Sequence, residues 1–102
     1  MPVASASSKA NTPSIVTSAG TALAANPQRT AFTIQNLGQN VLYVLLGSGA
    51  STTVFHFPLK AGTANDDGTG GSVSMESGTV YSGIITVAGT SPRFCVMECG
   101  TA

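Results

Sequence analysis

The stretch "RTAFTIQNLGQNVLYVLLG", residues 29–47, decides how the chain is read. Its first half alternates. Phe32 and Ile34 fall on one side of an extended chain, Thr33 and Gln35 on the other, the period-two pattern of a strand with one wet face. "NLGQN" follows, and its Asn and Gly residues tolerate positive φ and favour a hairpin loop. "VLYVLL", residues 41–46, is then apolar without alternation. A strand that is apolar on both sides needs two covers. A chain of 102 residues has material for one modest core, since a domain of this size buries roughly 65% of its unfolded surface. The expectation is that the core covers one face of Val41–Leu46 and that a second protein chain covers the other.

Composition points the same way. Only 8% of the residues are charged, against about 25% in ordinary globular chains. The four basic and four acidic side chains cancel, and surfaces this poor in charge tend to associate. Lys9, Arg29, Lys60 and Arg93 are scattered, which argues against nucleic acid as a partner, because that binding needs clustered cations to displace counterions. The longest apolar run, Val41–Leu46, falls far short of the ~20 residues of a membrane-spanning helix, so no membrane partner is expected. Residues 1–20 carry Lys9 but no apolar stretch of the signal-peptide kind. The expected place of synthesis is a cytoplasm, without export by a standard route.

The chain divides near Pro27. Residues 1–26 are rich in Ala, Ser and Thr, hold no aromatic, and have Val3, Ile15, Val16 and Leu23 as their branched apolar groups. Such a segment cannot bury enough apolar area by itself to offset its ordering entropy, so it reads as an extended N-terminal arm. Residues 27–102 read as one β domain. "TAFTIQN" and "VLYVLLG" are strands. "STTVFHFPL" is a further strand ended by Pro58, and "KAGTANDDGTGGSVSMESG" is a long polar loop with room for a short strand at Ser72–Met75. "TVYSGIITVAG" is a strand interrupted at Gly83. "RFCVMEC" closes the chain, with Phe94 and Val96 on one face, Glu98 in step with them, and Cys95, Met97 and Cys99 on the other. No ten-residue stretch has helical period. The fold class is therefore all-β, a small antiparallel β-sandwich or jelly-roll-like barrel with an extended N-terminal arm.

No catalytic set assembles, and the chain reads as a non-enzyme with no cofactor and no metal. His56 is the one histidine. In "VFHFP" it points opposite to Phe55 and Phe57, which suits a surface or interface position, and no G-x-S-x-G elbow accompanies it. "NDDGTGG" pairs Asp66 and Asp67 beside glycines but lacks the spacing and the distal Glu of a calcium loop, so it reads as a solvated turn. Cys95 and Cys99, four apart on a strand, stand ~13 Å from each other, too far for a disulfide. They read as reduced thiols, with a metal pair the sharper and less supported alternative.

Across residues 19–99 the sequence resembles the small β-rich structural proteins of tailed bacteriophages. In these a strand leading to "aNp.R" is followed by "i.iqN.g.n.lyv.lG", then an "l..G" turn, a "y.G.i" strand and a closing hydrophobic strand. Here the pattern falls on Asn26, Pro27, Arg29, Ile34, Gln35, Asn36, Gly38, Asn40, Tyr43, Gly47, Leu59, Gly62, Tyr81 and Gly83. The resemblance implies a virion component on the capsid surface that decorates and cements the shell by binding between major capsid proteins, and that also binds itself as a homo-oligomer, with a trimer expected. The alternative is a glycan- or receptor-binding module of a phage fibre or tail using Tyr43, Tyr81 or His56. The residues expected at interfaces are Val3, Ile15, Val16, Leu23, Arg29, Tyr43, Leu45, Phe55, Phe57 and Tyr81.

Overall fold

The computed structural model describes residues 15–76 and 79–100. Val3 and the rest of the first fourteen residues of the expected arm lie outside them. Within the described residues the chain is all-β: β1 Gly20–Leu23, β2 Arg29–Asn36, β3 Leu42–Leu46, β4 Phe57–Leu59, β5 Ser72–Met75, β6 Ile85–Ala88 and β7 Phe94–Gly100. Two antiparallel sheets result, one ordered β1-β6-β3-β4 and the other β5-β2-β7. Val16 forms an antiparallel bridge to Phe94 on the free side of β7, with main-chain bonds of 2.8 and 3.0 Å.

The alternation in β2 is realised side chain by side chain. Phe32 and Ile34 are buried, while Thr33 and Gln35 are half-buried. β3 alternates in burial although not in hydropathy: Leu42 and Val44 are buried, Tyr43 and Leu45 half-buried. The inward side chains of both sheets meet in one cluster of Leu23, Phe32, Ile34, Leu42, Val44, Leu59, Ile85, Val87 and Phe94. Burying each such side chain contributes about 1.5–3 kcal/mol, and truncating Phe32 or Phe94 to Ala should cost about 3–5 kcal/mol.

Three local readings change. Residues 37–41 do not form a hairpin loop, because β2 is already paired on both edges, by β5 and β7, and β3 must enter the other sheet. Asn36 drives the redirection. Its Oδ1 accepts from Gly38 N, and its Nδ2 lies within bonding distance of the carbonyls of Asn40, Leu59 and Lys60. The strand expected over Ser51–Leu59 contracts to Phe57–Leu59, since Ser51 Oγ accepts from Thr53 N and Val54 N and curls the chain into a turn. The strand expected over Thr79–Gly89 begins only at Ile85. Gly83 sits against the Tyr81 ring so closely that any Cβ there would collide with it.

β1 lies inside the segment expected as an arm, yet it pairs with β6 as the edge of its sheet and delivers Leu23 to the core. β5 occupies Ser72–Met75, inside the long polar loop.

Candidate functional site

The outward face of the four-stranded sheet is built around β3. Antiparallel partners share a face, so Tyr43 is flanked by Pro58 of β4 and Ala88 of β6, and Leu45 by Thr86 of β6. This face is partly roofed by the chain itself. After β3 the segment 47–56 doubles back over the sheet. Thr86 Oγ1 donates to the Gly47 carbonyl at 2.7 Å and accepts from Ala50 N at 3.1 Å. The Phe55 ring comes to rest 4.7 Å from the Tyr43 ring, tilted by 46°, a spacing at which aromatic pairs attract. The second cover that the apolar strand requires is thus supplied in part from within.

The roof is mostly small and polar, but it exposes two large apolar side chains. Val54 is 50% exposed and Phe55 36%. No charged side chain belongs to the set Tyr43, Leu45, Val54, Phe55, Pro58 and Ala88. His56 lies beside it, exposed, with Nδ1 accepting from Leu46 N at 3.0 Å and its ring 6.2 Å from that of Phe57. The opposite sheet presents a different outward face. Thr33 and Ser74 share a hydroxyl–hydroxyl bond of 3.0 Å, with Gln35, Cys95, Met97 and Cys99 alongside. Cys95 and Cys99 are both free and half-buried.

The residues expected at interfaces therefore separate. Tyr43, Leu45 and Phe55 come together on one surface, and Ile15 is exposed elsewhere. Leu23 and Arg29 are interior, buried by their own chain. Leu23 packs in the core, and the guanidinium of Arg29 is consumed by Glu98 and by the carbonyls of Ala24, Tyr81 and Gly83. Val16, Phe57 and Tyr81 pack against the core cluster, Phe57 on the inward side with its register partner Val44. The sequence reading missed Val54 and Pro58. Val54 fell in a stretch read as a strand that instead curls into a turn, and Pro58, read as that strand's end, lies within β4 beside Tyr43.

The carboxylates have structural partners. Asp67 Oδ1 accepts from Thr69 N and Thr69 Oγ1, and its Oδ2 from Ala64 N. Thr69 foremost holds its carboxyl below the usual range. Asp66 is gripped by the Arg93 fork at 2.8 and 2.5 Å, and that hydrogen-bonded guanidinium lowers its carboxyl likewise. Both are ionised at neutral pH and serve as acceptors in a turn. Among the described residues no three His, Cys, Asp or Glu side chains gather to hold a metal ion.

Comparison with protein-family models, with curated proteins and with solved structures returns no match.

Proposed function

We propose that this chain is a structural virion protein that decorates and cements a bacteriophage capsid. The two sheets act as a small β-sandwich of jelly-roll-like form, and the segment before β1 acts as an extended arm on the major capsid protein. The observation that carries the reading is the uncharged apolar surface of Tyr43, Leu45, Val54, Phe55 and Pro58, set in a chain with few charges to oppose association. Exposed apolar clusters of this kind mark contact sites for other proteins. The resemblance of residues 19–99 to small phage structural proteins is what supports this choice of partner. A protein that binds the assembled shell and not its separated subunits stabilises the shell by mass action, and a homo-oligomer multiplies several weak contacts. A trimer fits the local three-fold positions of an icosahedral shell.

The test uses tailed-phage shells stripped of small proteins. Full-length protein should co-sediment at fixed stoichiometry and raise the melting temperature of the shell. Phe55→Asp and Tyr43→Asp should abolish one or both of two things, shell binding and self-association by light scattering. Deletion of residues 1–14 should weaken shell binding while leaving β1 in place; a cut at residue 26 would also remove β1 and Leu23 and confound the result. If wild-type protein ignores the shells, the capsid assignment fails. If both Asp variants bind and associate normally, this surface is not the interface.

A further inference from the structure

A second surface feature lies away from the apolar face. The loop after β2, the polar loop before β5 and the turn before β7 enclose an open cleft of about 420 Å³, within the roughly 300–1,000 Å³ of small-molecule sites. Its lining is almost wholly neutral and hydrogen-bonding: Thr17, Gln39, Asn40, Asn65 and Ser91, with Arg93 at one side. Arg93 brings no net charge, because its Nε and one terminal nitrogen are already forked onto Asp66. The side chains of Thr17, Asn40, Asn65 and Ser91 make no hydrogen bond among the described residues. Amides and hydroxyls both donate and accept, so the cleft offers both senses of bond without a charge to balance.

The frame is held in place. Leu37 N donates to the Arg93 carbonyl at 2.8 Å, Asp66 N to the Leu37 carbonyl at 2.9 Å, and Gly62 N to the Gly38 carbonyl at 2.8 Å. Gln39 Nε2 is tied to the Thr63 carbonyl at 3.1 Å, and the Asn40 carbonyl is held by Asn36. Asp66 and Ser91, at φ of 61° and 43°, adopt the left-handed conformation on either side of the cleft, an arrangement that costs of order 1–3 kcal/mol each and persists where the surroundings enforce it. The three loops are thus cross-tied, and the unpaired side chains project from a fixed frame.

We propose that this cleft binds a neutral saccharide, whose vicinal hydroxyls each donate and accept. An anionic ligand would meet an arginine already neutralised, and an apolar one would find little beyond Pro92. The assignment is independent of the capsid reading and of the aromatic side chains Tyr43, Tyr81 and His56.

The experiment titrates the full chain with neutral mono- and oligosaccharides, carried to roughly ten times the expected dissociation constant and read by amide chemical shifts in solution. Without an aromatic platform the affinity should be near millimolar. Asn40→Ala and Asn65→Ala should each weaken it roughly five- to tenfold, one neutral hydrogen bond apiece, while Phe55→Asp leaves it unchanged. Both asparagines are exposed, so the variants should keep the wild-type unfolding midpoint. Three results would overturn the assignment: no neutral sugar bound, binding confined to charged sugars, or binding lost in Tyr43→Ala but kept in Asn65→Ala. Failure of shell binding would leave it untouched.

Discussion

Arg29 and Arg93 make the same chemical pair in opposite surroundings. Arg29 is fully buried, and its partner Glu98 is 15% exposed. Around them the guanidinium holds three carbonyls at 2.7–3.0 Å and lies 5.8 Å from the centre of the Phe32 ring. It ties the start of β2 to the end of β7, to the turn before β6 and to the chain just after β1. Arg93 and Asp66 are 29% and 41% exposed and join only two loops. Water and salt can replace most of what the surface fork provides. The partners of the buried one are harder to replace, because cutting it leaves Glu98, only 15% exposed, and three part-buried carbonyls without the guanidinium. Two residues indistinguishable by type thus have separate tasks: Arg29 holds the interior together, and Arg93 trims the rim of a cleft.

The sharpest way to break this contrast is Arg29→Met. It removes the cation, leaves Glu98 without its partner and orphans three carbonyls, and should cost about 3–5 kcal/mol in urea unfolding. A loss below about 1 kcal/mol would mean that water reaches the site and that the two arginines are equivalent. Glu98→Gln keeps an acceptor for Nε but removes the countercharge, and should cost about 1–3 kcal/mol. Asp66→Asn should have the smallest effect of the three at neutral pH. A loss equal to that of Glu98→Gln would show that the loop frame, not burial, sets the importance of these pairs.

Acid sharpens the comparison at its weak end. Asp66 is held low by the hydrogen-bonded Arg93 and Asp67 by Thr69, so each ionises at lower pH in the folded chain than in the unfolded one. Their stabilising contribution is complete above the unfolded value of about 3.9. It is lost as pH falls through the depressed folded values. The urea midpoint should therefore decline below about pH 4, and Asp66→Asn with Asp67→Asn together should flatten that decline. An unaltered slope in the double variant would assign acid sensitivity to other carboxyls.

Much of the fold was legible from residues 29–47. The alternation of Phe32 and Ile34 marked the inward face of β2, and the polar run around Asp66 and Asp67 marked a solvated turn. The apolar face of β3 was legible only as a need. That Tyr43 and Leu45 lacked an inward place could be read, but that Phe55 returns to cover Tyr43 could not. The return depends on Ser51 curling the chain and on Thr86, 36 residues beyond Ala50, anchoring it. The cleft was equally hidden, because its five neutral side chains come from four separate stretches of the chain and none is unusual in its own.

The sequence by itself determined the all-β character, the inward positions of β2 and the short strand at Ser72–Met75. An extended backbone sends neighbouring side chains to opposite faces, so burial leaves a local period-two trace. Only the tertiary structure decided that β2 and β3 part into different sheets, that β1 belongs to the sheet, and that Arg29 is an interior residue. Which edge a strand finds depends on which edges are already occupied. Whether an arginine can be buried depends on carbonyls and a carboxylate as many as 69 residues away, and no local pattern records either.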